Sequence, residues 1–251
     1  MLVTRYSVAV RAALAALVFV AAPSFSAAAD NTPPEGFVAL FNGKDLDNWR
    51  GLPLKVSPKD ATKNVPLMMP ERLAASPEEL AAAQKLGDEF AKAHWKAENG
   101  VILFDGKGQN LLTDRDYGNF ELYVDWKIEK GGDSGIYLRG SPQIQIWDPD
   151  LQKPKQPVPV GSGGIYNNTK NSSKPTKMAD KPVGEWNTFW IKMVGDKVSV
   201  KLNGELVVDE VIMENYWDKE RKTPIYPKGT IELQNHGNVL FFKNIYIKEL
   251  P

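Results

Sequence analysis

The sequence lacks cysteine altogether and contains only two histidines among its 251 residues. Without cysteine the chain can form no disulfide bond, so its stability has to come from a hydrophobic core. The same absence excludes lipid attachment to a cysteine behind a leader, and it argues against a tight zinc site. The chain also has no metalloprotease, serine-hydrolase, phosphate-loop or dinucleotide-binding motif.

Positive charge is not in excess, because 31 basic side chains balance 31 acidic ones. Proteins that bind nucleic acid typically present a basic surface, so the composition predicts no nucleic-acid partner. Beyond the N-terminus, no apolar run is long enough to span a bilayer.

The N-terminus has the features of a secretory leader. Arg5 and Arg11 precede a short apolar run over residues 12–22, and small residues follow up to Ala29. This pattern predicts a signal peptide over residues 1–29, cleaved after Ala29. The mature protein, residues 30–251, is expected to be periplasmic or secreted from a bacterium.

Alternating apolar and polar residues dominate the chain after residue 95. In Phe120–Ile128 every even-numbered residue is apolar, and Asn203-Gly204 is a strong hairpin signal. The pattern predicts an all-β, antiparallel two-sheet jelly-roll sandwich formed by a single domain. Pro149–Pro182 is expected to be a long irregular loop in which the glycines of Gly161–Asn168 let the backbone approach a ligand.

Residues 52–94 differ from this pattern. Four prolines between residues 53 and 70 predict an irregular stretch. Ser76, Pro77 and Glu79 then form a capping box that starts one helix ending near His94. We interpret the segment as a helical insertion that either narrows the entrance to a site or covers an edge of the sandwich.

The stretch Gly131–Asp148 predicts an antiparallel strand pair, Ser134–Arg139 and Gln143–Trp147, joined by a turn. Its isoleucines face the core. Its opposite face carries the side chains of Tyr137, Arg139, Gln143, Gln145 and Trp147. Amides, a cation and aromatic rings are what a sugar-sized ligand requires, although a wet sheet face with scattered aromatics is the alternative.

A second polar group lies near the C-terminus. Glu232 and Gln234 alternate with apolar residues, and His236 follows on a bend rich in glycine and asparagine. An imidazole can move protons at neutral pH, so His236 is a candidate acid or base, whereas a purely structural loop histidine is the alternative. These residues either share a concavity with Arg139 and Gln145 or face solvent elsewhere. His94, at the end of the helix, is expected to be structural.

The acidic candidates are Asp125, Asp133, Asp148 and Glu232. No E-x-D-x-x-E strand motif is present, which disfavours a standard glycosidase with two catalytic carboxylates. A looser divalent-metal site built from His236, carboxylates and amide oxygens stays open.

Four ordered blocks resemble the 3-keto-disaccharide hydrolase family: residues 36–49, 131–148, 184–208 and 229–250. The resemblance implies a concanavalin-like jelly roll that acts on glycosides already oxidised at C3 by a partner sugar dehydrogenase. A ketone at C3 acidifies the C2 hydrogen, so a base can form an enolate, the C1 group can leave, and water can then add. A divalent metal could stabilise the enolate.

Onto this sequence the resemblance implies His236 or Glu232 as the base, Asp125 as a further acid–base or metal-ligand candidate, and Arg139 as the charge stabiliser. The implied sugar-binding residues are Gln143, Gln145, Trp147, Tyr166 and Gln234. Many family members have asparagine in place of Asp133 and glutamate in place of Gln143. If that glutamate is the base elsewhere, this chain is only a binder or uses another residue. A non-catalytic lectin-like module is therefore the main rival, and a sandwich that mediates protein contacts is the third reading.

Overall fold

The structure, a computed structural model, describes residues 30–152 and 160–251. The predicted signal peptide lies outside the described residues, so it stays a prediction. Within the described part of the chain, no helix is long and apolar enough to cross a membrane.

Fifteen strands, two α-helices and one short 3₁₀ helix (Pro149–Gln152) occur in the described part of the chain. In chain order they are β1 (Val38–Ala39), β2 (Trp49–Gly51), β3 (Leu54–Ser57), β4 (Asp60–Pro66), α1 (Met69–Ala74), α2 (Pro77–His94), β5 (Trp95–Glu98), β6 (Val101–Phe104), β7 (Leu111–Thr113), β8 (Phe120–Ile128), β9 (Asp133–Leu138), β10 (Ser141–Trp147), β11 (Asn187–Val194), β12 (Lys197–Leu202), β13 (Glu205–Ile212), β14 (Glu232–Leu233) and β15 (Leu240–Glu249).

Two antiparallel sheets form the sandwich. The larger has the order β13-β12-β11-β8-β15-β6-β5, with β1 added beside β15, and the smaller has the order β10-β9-β14-β7-β2. Strands distant in sequence are therefore neighbours in both sheets, as in a jelly roll. The predicted all-β, two-sheet fold is confirmed.

The core lies between the sheets and follows the predicted alternation. The even-numbered residues of β8 are buried while its odd-numbered residues are only partly covered. From the smaller sheet, Ile136, Ile144 and Ile146 are fully buried in the same core. Each such side chain contributes roughly 1.5–3 kcal/mol by leaving water, so the alternation fixes which face of each strand points inward.

The insertion is more regular than predicted. Besides the expected helix α2, which begins with the Ser76–Glu79 capping box, it contains the hairpin β3–β4 and the short helix α1. Three of its prolines lie outside the paired strands or at a helix start, with Pro58 in the hairpin turn, Pro70 in the first turn of α1 and Pro77 in the first turn of α2. This is why a run of prolines did not exclude regular structure.

Helix α2 packs directly on β2 through two glycines. A Cβ atom at Gly51 would lie 2.0 Å from the carbonyl oxygen of Gly87, so neither position has room for a side chain. Helix α2 thereby covers the free edge of β2, where the Gly51 amide donates to Asp88 and the Gly51 carbonyl accepts from Gln84. Helix α1 instead places Arg72 over Glu232 on the outward face of the smaller sheet. The opposite end of that face, on β9 and β10, carries the candidate site.

Candidate active site

The outward face of the five-stranded sheet is assembled from strands that are far apart in sequence. Tyr137 on β9 lies opposite Glu232 on β14, and Gly135 lies opposite Gln145 on β10. We call this surface the polar face. Six further residues that the sequence analysis singled out lie on the polar face or at its margin: Gln143, Gln145, Trp147, Glu232, Gln234 and His236.

A chain of polar contacts runs across the β9–β10 end of the polar face. The Gln143 amide donates to Oε1 of Gln145 over 2.7 Å, and the Gln145 amide donates to Oδ1 of Asp133 over 2.7 Å. Nδ1 of His236 lies 3.4 Å from Oδ2 of the same carboxylate. The chain has room to form because a Cβ atom at Gly135 would lie 2.9 Å from Cγ of Gln143. We call these four side chains the His236 cluster.

The electrostatics of the His236 cluster suit proton transfer. Burial raises the pKa of Asp133, and the charge of His236 together with the hydrogen bond from Gln145 opposes that rise. The His236 side chain is 57% exposed whereas that of Asp133 is only 26% exposed. A covered carboxylate therefore holds one nitrogen of an imidazole that stays open to a ligand. Asp133 was an acidic candidate from sequence, but no sequence signal linked it to His236.

Glu232 is placed differently from His236, because the insertion covers it. Its carboxylate is 1% exposed and accepts hydrogen bonds from Arg72 at 2.7 Å, Asn110 at 3.0 Å and Thr230 at 2.9 Å. A carboxylate with both oxygens engaged and no access to solvent does not suit the predicted role of catalytic base. Arg72 was missed from the sequence, where the only clue is that a buried glutamate needs a cation.

Tyr137 and Gln234 lie between the His236 cluster and Glu232. The Gln234 amide donates to the Tyr137 hydroxyl over 3.4 Å, while Oε1 of Gln234 is buried without a hydrogen-bond partner in the described part of the chain. Burial raises the pKa of Tyr137, and the nearby charge of Glu232 raises it further. The phenol therefore stays protonated at neutral pH and can donate a hydrogen bond.

A small cavity of about 130 Å³ adjoins the His236 cluster and is bordered by Gln145, Trp147 and Tyr166. The two aromatic rings meet edge to face with their centroids 5.5 Å apart. Trp147 is nearly buried and donates to the Val160 carbonyl oxygen, so Tyr166, which is 53% exposed, offers the accessible ring. Three residues predicted to hold a sugar thus line one cavity.

The glycine-rich segment Gly161–Asn168 packs against β10, and its Gly161 and Gly164 also line the cavity, so their predicted approach to a ligand stays a prediction. Its backbone extends the sheet, because the amide of Gln145 donates to the Gly164 carbonyl and the amide of Gly163 donates to the Gln145 carbonyl. A Cβ atom at Gly164 would lie 2.5 Å from the Ser173 carbonyl oxygen. The glycines therefore let two chain segments pack closely.

The loop that carries Tyr166 is fastened by one buried carboxylate. Glu214 accepts hydrogen bonds from the backbone amides of Thr169, Lys170 and Asn171. Burial opposes ionisation of Glu214, but these amides and the Thr169 hydroxyl outweigh it and lower its pKa to about 2. The carboxylate is thus ionised throughout the neutral range and keeps the loop in place.

Arg139 does not share the cleft. It follows the last residue of β9 with φ +54°, and this left-handed backbone turns its side chain toward the rim. The buried guanidinium donates to the carbonyl oxygens of Gly118 and Gly195 over 2.8 and 2.7 Å, and to Asn119 over 3.0 Å. Simple alternation predicted an arginine on the polar face, but the strand ends one residue too early for that.

Asp125 lies on the other side of the molecule. It is an odd-numbered residue of β8, so it points outward from the larger sheet, with the core between it and the polar face. Its oxygens accept hydrogen bonds from Thr188 at 2.6 Å and Asn244 at 2.7 Å. These contacts fasten neighbouring strands and leave Asp125 far from His236.

Few side chains at the site can coordinate a metal ion. In residues 30–152 and 160–251 no group of three or more histidine, aspartate or glutamate side chains converges closely enough to hold one. The His236 cluster supplies one imidazole and one carboxylate, so we derive no step through a metal. The divalent ion stays a prediction.

Comparison with known proteins identifies the family. The model described as the 3-keto-alpha-glucoside-1,2-lyase-like domain matches residues 36–248. The chain belongs to this family, the 3-keto-disaccharide hydrolases. The 3-keto-disaccharide hydrolase of Bacteroides thetaiotaomicron is 24% identical over an alignment of 264 positions, which covers 86% of this chain and 79% of that protein.

Solved structures agree on the fold. Two crystal structures of Parabacteroides distasonis proteins, provisionally named glycosyl hydrolases, are similar to this chain. The first has a TM-score of 0.62 at 23% identity and covers 89% of this chain and 100% of its own. The second has a TM-score of 0.59 at 24% identity and covers 86% and 85%. The recognised family and the sandwich fold are both confirmed, and membership makes this chain a glycoside hydrolase-like enzyme.

Proposed function

We propose that the protein cleaves 3-keto-glycosides by elimination across C1 and C2, followed by addition of water. The observation that carries the proposal is the His236 cluster, in which a covered carboxylate lies beside an exposed imidazole, with Gln145 linking the cluster to a small cavity lined by Trp147 and Tyr166. The name of the Bacteroides thetaiotaomicron relative, a 3-keto-disaccharide hydrolase, supports the substrate class.

His236 is the base in this reaction. Asp133 lies 3.4 Å from Nδ1, and its charge favours the tautomer that keeps the hydrogen on Nδ1 and leaves Nε2 free, on the side of the ring away from the carboxylate. Gln145 keeps Asp133 in place by its 2.7 Å hydrogen bond. Nε2 then takes the proton from C2 of the sugar, which the neighbouring ketone has made acidic.

The electron pair left at C2 moves toward the C3 ketone and forms an enolate. Tyr137 is the donor we assign to that oxygen, because its phenol is protonated and lies on the same face as the His236 cluster. It takes the role that the family resemblance had implied for Arg139. A neutral donor aimed at developing negative charge in a covered site is an effective stabiliser.

The C1–O bond then breaks as the enolate electrons re-form the ketone and create a C1=C2 double bond. The imidazolium returns its proton to the departing oxygen, so His236 ends the step neutral. Water adds its hydroxyl to C1 and a proton to C2, which completes net hydrolysis. The sum is one 3-keto-glycoside and one water in, one 3-keto sugar and one alcohol out.

The reaction requires a substrate already oxidised at C3, so we propose a sugar 3-dehydrogenase as the functional partner. The leader predicted over residues 1–29 favours a periplasmic or secreted setting for both. The divalent ion remains an optional component of the proposal.

A cleavage assay separates this proposal from its rival, the non-catalytic carbohydrate-binding module. The full mature chain is incubated with a 3-keto-glucoside and with the same glucoside before oxidation, and the released alcohol is measured. We expect release from the 3-keto-glucoside alone. Saturable binding of both sugars without release would favour the module, and release from both would contradict the role of the ketone.

A further inference from the structure

A cavity of about 120 Å³ lies between the insertion and the covered end of the polar face, outside the His236 cluster. Its walls are partly apolar, being formed by Pro53, Met69, Leu73 and Leu80. Two arginines, Arg50 from β2 and Arg72 from α1, also line it. We call it the Arg50–Arg72 cavity.

Both guanidinium groups have a buried donor that nothing in the described chain satisfies. The Arg72 side chain is 9% exposed, and its Nη2 is held by Glu232, yet its Nε is buried and without an acceptor. The Nε of Arg50 is also buried and unsatisfied. A buried donor without an acceptor is costly and rare in folded proteins, so two around one cavity require an explanation.

The charges around the cavity leave one cation uncompensated. Glu232 neutralises Arg72 over 2.7 Å. Arg50 has no ion pair in residues 30–152 and 160–251, and the other acid at the cavity, Asp116, is exposed at its rim. Arg50 also borders a larger cleft that contains Asp47 and Asp88.

Neither Asp47 nor Asp88 forms an ion pair with Arg50. Oδ1 of Asp88 already accepts the Gly51 amide at 2.9 Å and Gln84 at 2.8 Å. The two uncharged polar side chains of the cavity are also engaged, since Thr230 donates to Glu232 and the Gln84 amide donates to Asp88 and to the Gly51 carbonyl. The missing partner is therefore one negative charge that comes from outside the chain.

We propose that the Arg50–Arg72 cavity binds a monoanionic carboxylate of a few carbon atoms. Its planar oxygens accept from the two guanidinium groups, while its alkyl part contacts the apolar wall. Phosphate or sulfate fits less well, because a more highly charged and strongly hydrated anion loses more on entering a half-apolar space. The proposal does not depend on the sugar reaction described above.

Titration with sodium propionate tests this site on the full mature chain. Ionic strength is held constant with sodium chloride, and binding is followed by calorimetry and by the unfolding temperature. We expect saturable binding that Arg50→Met weakens about tenfold or more, because a charge-assisted hydrogen bond is lost. The matched control is Arg115→Met, which removes an exposed arginine paired with Glu249 and should leave the Kd within about twofold.

Three results would overturn the proposal: no saturable binding of propionate, equal affinity in Arg50→Met, or phosphate or sulfate binding as tightly as propionate. If Arg50→Met does not fold, Arg50→Gln and crystals of the wild-type protein soaked in propionate replace it. Density for a carboxylate between the two Nε atoms supports the site, and an empty cavity in those crystals contradicts it.

Discussion

The chain has two histidines, and each contacts an aspartate, but the two pairs have opposite surroundings. Nδ1 of His94 lies 3.0 Å from Asp105, with the imidazole 18% exposed and the carboxylate 42% exposed. In the His236–Asp133 pair the imidazole is the open partner and the carboxylate the covered one. A contact between histidine and aspartate is thus no signature of a catalytic base by itself. Only a pair whose imidazole is exposed to solvent can take a proton from a ligand.

The two carboxylates also respond oppositely to their surroundings. Slight burial opposes ionisation of Asp105, but the hydrogen bonds from His94 and the Lys107 amide outweigh it and lower its pKa. Burial dominates at Asp133 and raises its pKa. The first pair is stabilising at the junction of α2 and β6, whereas the second retains a carboxylate at some cost to stability, as catalytic groups commonly do.

The largest expected effect distinguishes the two histidines. His236→Ala should lower kcat on a 3-keto-glucoside by about 10²–10⁴-fold, the usual contribution of a general base. His94→Ala, the matched control, should leave kcat within about twofold because its ring packs on Phe90 away from the polar face. Equal losses in both variants, with both folded by circular dichroism, would erase the distinction.

The next effect distinguishes the two aspartates. Asp133→Asn should lower kcat by about 10²-fold, because an amide nitrogen facing Nδ1 favours the wrong imidazole tautomer. Asp105→Asn should leave kcat nearly unchanged. Full activity in Asp133→Asn, measured in the same assay, would remove Asp133 from the mechanism.

The smallest effect is on stability, and it has opposite signs in the two pairs. Because the pKa of Asp105 is lower in the folded chain, its ionised form stabilises the fold above the unfolded pKa of about 3.9. This stabilisation is lost as the pH falls through the folded pKa. Asp105→Asn should therefore be less stable than wild type at pH 7, with the gap closing at low pH.

Asp133 should behave in the reverse way. Its folded pKa is raised, so wild type loses stability as the pH rises from the unfolded pKa through the folded one. Asp133→Asn should therefore be at least as stable as wild type at pH 7. Urea unfolding from pH 3 to pH 7 measures both gaps, and a matching sign for the two variants would contradict the assigned environments.

Alternation in the sequence was enough to predict which side chains leave the core on each strand, but it left open whether Glu232 shares a face with Gln145. Gln143, Gln145 and Glu232 lie on the polar face because a period of two residues fixes the face of a strand once the core is known. Asp125 was misplaced because alternation does not say which of two sheets a strand joins. Arg139 was misplaced because the sequence does not reveal the residue at which a strand ends.

What covers a face could not be predicted from the strands alone. Glu232 and Gln145 look alike in sequence, yet α1 brings Arg72 over the first and leaves the second beside a cavity. The partner comes from an insertion some 160 residues earlier in the chain, and no local pattern connects the two. The contact between His236 and Asp133 is of the same long-range kind.

The exchange of hydrogen at C2 tests the central claim most directly. Wild-type protein is incubated with a 3-keto-glucoside in deuterium oxide, and the 3-keto sugar released at early times is examined by mass spectrometry and NMR. Elimination and hydration predict one deuterium at C2 in the product, with release and incorporation falling together in His236→Ala. A released sugar that keeps its original hydrogen at C2 would show direct displacement at C1, and the role assigned to His236 would be wrong.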